Sequence, residues 1–454
     1  MTTRKKIPSE VLNQTRNRFN RFFKAEASSS IILLITTITA LIWANTYTQS
    51  YFGIWNTIIN ISVGKFGLSK PLTHWVNDGL MAFFFLVIGL EIKREFMVGE
   101  LSKRNEAVLP FSAAIGGMLV PAVFYLILNQ GTIAAKGWGV PMATDIAFSL
   151  GILSLLGAKI PLCLKVFLTA TAIVDDLGAI LIIAIFYTDQ LKLVPLLVAG
   201  LIVLALILSN RRGLSRPSVY MVLGVALWLA VLKSGLHATI AGVLLAATVP
   251  ARTRLDPQVF ITESLTILES FQQSAPPDDS KFLNKVCLNA ISNLEENCAR
   301  VEPLIQRWER ELHEVVAYAI VPVFALVNAG VHIGDAGIQA LTSRVSLGII
   351  LGLALGKPVG IFLFSWLAVK LKIARLPANM TFRHLLGAGC LAGIGFTMSI
   401  FVSGLAFVDP NYITYSKVGI IIGSIISGIA GISILRTAEV KQNQANLVQI
   451  KETC

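Results

Sequence analysis

The chain has 454 residues, 54% of them hydrophobic and only 14% charged, with a mean hydropathy of +0.70. Soluble proteins carry about 25% charged residues, so this composition excludes one or two water-facing domains and fits a polytopic all-α membrane protein. The apolar runs are continuous rather than alternating, which excludes a transmembrane β-barrel. The net charge of +12 calls for no nucleic acid, because basic residues of membrane proteins gather in the loops of one side.

Taken in chain order, Arg4-Lys5-Lys6 is followed by polar residues rather than an apolar core, so the start is not a cleavable signal. Residues 1–26 set Ile7, Val11, Leu12, Phe19, Phe22 and Phe23 among Arg16, Arg18, Arg21 and Lys24. That spacing predicts a basic amphipathic helix on the membrane surface; a plain basic tail is the alternative. Apolar segments then predict twelve spans: 27–45, 71–92, 107–128, 139–157, 161–187, 193–209, 217–232, 235–250, 313–331, 345–369, 384–407 and 414–436. A span needs about 20 residues to cross roughly 30 Å of hydrocarbon, and several of these are shorter.

The plan divides the chain into a cytoplasmic segment 1–26, spans one to eight over 27–250, a polar cytoplasmic insertion 251–312, spans nine to twelve over 313–436, and a tail 437–454. Of the 38 basic residues, thirty fall on the side of the N-terminus and seven on the other, with Lys357 inside a span. Both termini are therefore expected in the cytoplasm. Cys163, Cys287, Cys298, Cys390 and Cys454 are scattered and form no CxxC or Cys/His cluster, which argues against a disulfide framework or a zinc or iron–sulfur site.

The informative residues are charges inside apolar spans. A carboxylate at the bilayer centre costs about 2.5–3.5 kcal/mol even on the lenient insertion scale. Asp175-Asp176 sits in the middle of the fifth span. Neighbours on a helix point about 100° apart, yet both acids can line one cavity. Asp145 follows Gly137, Gly139, Pro141 and Thr144, a run that interrupts the helical pattern; such a break at membrane depth lines a cavity or is buried in protein. Asp145 can cap the following half-helix, which is compatible with a part in binding an ion. Gly393-Ile394-Gly395 breaks a second span, with Thr397 after it. Two broken spans in the two halves point to inverted repeats with a site between them.

Lys357 lies deep in an apolar span and must pair with a carboxylate or give up its proton. At the inner end of the second span Glu91, Lys93, Arg94 and Glu95 form a mixed-charge cluster, while Asp78 is nearer the opposite end. It reads either as a helix end with ion pairs or as a proton-sensing funnel. His237, and Glu309, Arg310 and His313 at the mouth of the ninth span, carry the same two readings.

Hard cations such as Na+ and Li+ prefer oxygen ligands, which carboxylates, a Thr and backbone carbonyls supply. The same acids bind protons, and their titration belongs to the pair. One site that holds either protons or a cation gives exchange once its opening alternates. An intramembrane aspartyl protease would place its acids on separate helices, and a channel needs no titratable acids; another cation/proton exchanger or a sodium-coupled symporter remains open.

The chain resembles bacterial sodium/proton antiporters of the NhaA family from about Ser30 to Arg436, apart from residues 251–300. The likeness is carried by HWVNDGLMAFFFLVIGLEIKRE, ATDIAFSLGILSLLG, IVDDLGAILIIAIFYT, LKSGLHATIAGV, LGKPVGI and GIGFTMSIFVSGLAF. It implies twelve helices, inverted-topology repeats and two broken helices crossing near the membrane middle. It implies that Asp175 and Asp176 bind Na+ or Li+ and carry H+, Asp176 being indispensable. Thr144 and Asp145 would sit at the crossing and Lys357 would compensate charge there. Asp78, Glu91, Arg94, Glu95, His237 and Glu309 would serve in pH sensing or in a cytoplasmic funnel. An electrogenic antiporter with no cofactor, a homodimer in the bacterial inner membrane, is the expectation. The long insertion, and Arg310 where some members have histidine, depart from the pattern.

Overall fold

The computed structural model describes residues 9–63, 66–157, 160–188, 191–214, 216–253, 255–274, 282–332, 337–377 and 379–453, with side chains described within 27–438. Helix α1 runs Ser9–Thr46. After it come α2 (Thr48–Trp55) and an antiparallel hairpin of β1 (Ile58–Val63) and β2 (Phe66–Pro71), with Ile58 opposite Pro71. Neither α2 nor the hairpin was expected from the hydropathy pattern. Residues 9–26 continue the helix of the first span rather than forming a separate element. The expected amphipathic face of 1–26 rests on side chains outside the described residues.

Next are α3 (Leu72–Val98), with a π-helical turn over Trp75–Leu80, and α4 (Arg104–Asn129). The following span is a 3-10 half, Ile133–Met142, and an α-helical half, α5 (Ile146–Leu155). Then α6 (Leu162–Phe186), α7 (Leu193–Arg211), α8 (Pro217–Ser234) and α9 (Ile240–Thr248) lead to the insertion. There α10 (Pro257–Gln273) and α11 (Lys285–Val301) pair antiparallel, with Cys287 Sγ beside Ser274 O at 3.3 Å and the amide of Leu255 donating to Arg300 O. The ninth span, α12 (Leu304–Asn328), starts nine residues before the expected boundary at 313, because its inner end is an amphipathic helix that seats Leu304, Ile305 and Trp308 in the core. α13 (Arg344–Lys370), the bent pair α14 (Phe382–Ala392) and α15 (Phe396–Ala406), and α16 (Pro410–Thr453) complete the bundle.

Among the described residues, ten helices are long and apolar enough to cross a membrane, and the pair bent by 49° makes eleven. The twelve expected spans include 235–250, the eighth, which is not such a helix. Gly235, at φ +89°, ends α8 in the left-handed region that glycine favours, and Pro250 follows α9, leaving nine residues and about 13 Å of rise. The chain still passes the length of α3, since His237 lies beside Asp78 at one end and Val249 beside Lys93 at the other. A helix ending inside the bundle must have its last carbonyls satisfied. Lys93 Nζ donates to the carbonyls of Ala247 (2.8 Å) and Val249 (2.5 Å), and Asn210 Nδ2 to that of Thr248 (2.9 Å).

Most spans share one buried core, to which α1, α3, α4, α6 and α12–α16 contribute; a second core joins α7, α8 and α9 to one face of α3 and the inner end of α12. α4 and α13 cross where a Cβ on Gly116 would run into the carbonyl of Gly360, so the two backbones meet without side chains between them.

Candidate ion site at the crossing of two broken helices

The two interrupted spans meet at their breaks. Pro141 ends the 3-10 half, Ala143 and Asp145 are extended, and α5 begins at Ile146. Opposite, α14 stops at Ala392 and α15 restarts at Phe396. The strands of the crossing are tied by backbone: Asp145 N donates to Ile394 O at 2.7 Å. Side chains complete the tie, Ser149 Oγ donating to Leu391 O and Ser399 Oγ to Val140 O, both at 2.8 Å. Gly395 is required by proximity, since a Cβ there would meet the Ser399 hydroxyl and the carbonyl of Ala143.

Asp145 serves two helix starts at once. Its Oδ1 accepts from Phe148 N (3.1 Å) at the head of α5. Its Oδ2 accepts from Thr397 N (3.0 Å) and from the Thr397 hydroxyl at the head of α15. Two N-terminal dipoles converge on one carboxylate, which is the arrangement that stabilises a charge there.

Asp175 and Asp176, on α6, are buried to 3% and 1% exposure, and Lys357 to 0%. The helical offset sends the two acids apart. Asp175 Oδ2 accepts from Lys357 Nζ at 2.6 Å and lies 2.6 Å from Thr144 Oγ1. Lys357 Nζ also donates to Met142 O. Thr144 Oγ1 is 3.1 Å from Ala392 O as well, so its single proton serves one acceptor at a time. Asp175 Oδ1 and both oxygens of Asp176 have no hydrogen-bond partner among the described residues. Buried carboxylate oxygens without donors are costly, and a cation or protons would satisfy them.

The two acids stand differently to the cavity beside them. A cavity of about 70 Å³ reaches Asp176, Asp145 and Thr397 at its deep end and Glu91 and His313 at its other end, with Phe84 and Val316 among its walls. Asp175, Thr144 and Lys357 are not part of its lining. Next to the mouth, His313 Nδ1 is 3.5 Å from Glu91 Oε1. Arg94 bridges Glu309 (2.9 Å) and Glu95 (3.0 Å), and Glu95 Oε2 accepts from Glu100 N.

Asp78 and His237 do not join that cluster. They form their own contact, His237 Nε2 to Asp78 Oδ1 at 3.9 Å, with His237 Nδ1 3.0 Å from Thr239 Oγ1. Thirteen residues of α3 separate Asp78 from Glu91, about 20 Å along the axis; the grouping of all six residues is therefore corrected to two sites at opposite ends of α3. His313, for which a helix-end ion pair and a funnel were both open, lines the cavity mouth, and the Thr397 grip on Asp145 was not among the expected roles. Thr397 had a signal, its place just after the second break, whereas the part of the Met142 carbonyl had none, because any residue supplies one. Among the described residues no three His, Cys, Asp or Glu side chains converge as a resident metal site.

The comparisons with known proteins agree along almost the whole chain. The family described as Na+/H+ antiporter 1 matches residues 20–435. A Na(+)/H(+) antiporter NhaA of Oleidesulfovibrio alaskensis is 49% identical over 419 residues, covering 92% of this chain and 93% of its own length. One of Koribacter versatilis is 47% identical over 433 residues, 95% and 93% of the two chains. One of Escherichia coli (strain UTI89) is 44% identical over 422 residues, 92% and 97% of the two chains.

Proposed function

The chain belongs to the Na+/H+ antiporter 1 family, and from that premise we propose that Na+ and H+ compete for Asp175 and Asp176 at the helix crossing. The protein is a multi-pass membrane transporter that exchanges Na+ for H+, not an enzyme. The observation that carries the site assignment is Asp176: a buried carboxylate at the end of a cavity, with neither oxygen hydrogen-bonded among the described residues.

Na+ entering past Glu91 and His313 meets Asp176 first. To engage Asp175 as well it must displace the Lys357 ammonium from Asp175 Oδ2, and that movement frees the carbonyl of Met142. Two carboxylates, the Thr144 oxygen and a carbonyl then form the all-oxygen set that a hard monovalent cation prefers. When the cation leaves to the other side, protons and the Lys357 ammonium restore neutrality. Because loading with Na+ excludes protons, a carrier that reorients only when the site is filled by one or the other exchanges them without a separate coupling device.

Asp145 keeps the crossing rigid by holding both helix starts while the pair on α6 changes partners. Glu91, Arg94, Glu95, Glu309 and His313 set the field at the mouth. Asp78 and His237 stand at the opposite end of α3, where the site would open on its other side. Carriage of Li+ follows from the same hard oxygen donors. An electrogenic cycle needs more than one proton per Na+: Asp176 gives up one, and the second comes from Lys357, whose ammonium loses its carboxylate partner when Na+ displaces it from Asp175. Placement in the bacterial inner membrane, with both termini cytoplasmic, is supported by thirty of 38 basic residues lying on one side; a homodimer rests on the family resemblance alone.

The test is proton flux in inside-out vesicles on addition of Na+, Li+ or K+, comparing the native chain with Asp176→Asn. Flux with Na+ and Li+ that disappears in the variant supports the shared site; flux that survives it sinks the competition mechanism.

A further inference from the structure

The insertion leaves an open groove of about 460 Å³ between α11 and the inner end of α12. Ile291, Leu294 and Ala299 give it an apolar floor, and Ile291 is 38% exposed. Glu295, Glu302 and Glu311 line its walls. Its two arginines are already engaged, Arg307 with Glu311 at 2.9 Å and Arg310 Nη2 with Glu302 at 3.0 Å. What fits such a groove is a helix with an apolar face flanked by basic side chains.

The chain carries that helix itself. Residues 1–26 hold seven basic residues against Glu10 and Glu26, and helical spacing puts Leu12, Phe19 and Phe23 on one face, Arg18 and Lys24 on its two flanks and Arg21 behind it. Its position follows from the packing of α1. Asn45 Nδ2 donates to Val331 O, an offset of 286 residues, and α1 also contacts the π-helical turn Val316–Ile320 of α12. The two helices therefore run side by side in the same direction. Carried back along both at a common rise, that offset puts residues 16–25 at about the level of 302–311, the stretch of α12 that walls the groove.

We infer that the groove between α11 and α12 is the docking surface for the chain's own residues 16–25, with Phe19 and Phe23 on its apolar floor and Arg18 and Lys24 at the glutamates of its walls. The insertion and the basic N-terminal segment are then two halves of one cytoplasmic unit beside the mouth of the ion cavity. The inference is independent of the ion site proposed above.

Cys298, exposed in the groove, provides the probe. The full-length protein in proteoliposomes keeps Cys298 as its native thiol, with Cys163, Cys287, Cys390 and Cys454 replaced by Ala, and gains Phe22→Cys. A short bismaleimide is expected to join positions 22 and 298 within one chain, and not to join Cys298 to a control Val408→Cys. Glu295→Lys should lower the yield several-fold, and removal of residues 2–20 should raise the labelling rate of Cys298 several-fold. Retained Na+-dependent proton flux and single-maleimide labelling of both thiols report the fold. In a folded, labelled protein, no cross-link, a cross-link only between two chains, or a Cys298 rate indifferent to the truncation would each overturn the inference.

Discussion

The helix crossing and the charged cluster at the inner end of α3 hold similar residues in opposite states of completion. In the cluster three acids have charged or titratable neighbours: Glu309 and Glu95 share Arg94, and Glu91 faces His313. In the crossing Asp145 is saturated by two helix starts, Asp175 is half-satisfied by Lys357, and Asp176 has no donor among the described residues. The gradient from Asp145 to Asp176 separates framework from binding site within one helix crossing. It also teaches where charge matters most, because pairs near water are screened and worth little, whereas a buried charge stripped of its partner is expensive.

Substitutions can break that contrast, beginning with the strongest. Asp176→Asn should reduce Na+-dependent proton flux to background while leaving the thermal unfolding midpoint of the purified protein near the native value, since no donor is lost. A large fall in that midpoint would reassign Asp176 to the framework. Lys357→Ala should destabilise by about 3–5 kcal/mol, the cost of abandoning a buried partner charge. Adding Asp175→Asn should recover much of it, which thermal unfolding of the single and double variants would read. If the double variant is no more stable than Lys357→Ala, the 2.6 Å pair is not what Lys357 contributes.

Asp145→Ala should cost about 2 kcal/mol, two lost helix caps, and Asp145→Asn distinctly less, with unfolding again the measure. In the cluster, Glu91→Gln should change stability by less than about 1 kcal/mol. It should instead raise the Na+ concentration needed for half-maximal flux several-fold, with the maximal rate retained, because a negative charge at the cavity mouth is gone. Asp78→Asn, at the other end of α3, should leave the response to Na+ added on the inner side unchanged. A shift there equal to that of Glu91→Gln would rejoin the two regions into one network.

Much of the arrangement was legible as composition and interruption. Charges in apolar runs mark Asp175, Asp176 and Lys357 because hydrocarbon penalises them wherever they sit. Gly and Pro mark both broken spans because they end helices whatever surrounds them. In the expected eighth span, 235–250, apolar composition did not reveal that the helix is cut to nine residues and that its carbonyls are completed by Lys93 and Asn210, which belong to other helices. The hairpin Ile58–Pro71 was missed because it lies outside the long apolar runs on which the reading rested.

What the sequence by itself determined is the membrane character, the family, and which residues bear charge at depth; these follow from transfer energies and local propensities, which each residue carries with it. The tertiary structure alone decided the partnerships. It turned Asp175 to Lys357 and Thr144 but Asp176 to the cavity, and gave Asp145 two helices to cap. Hydrogen bonds reach only about 3 Å, so which donor meets which acceptor is fixed by how distant segments cross, and no single segment contains that information.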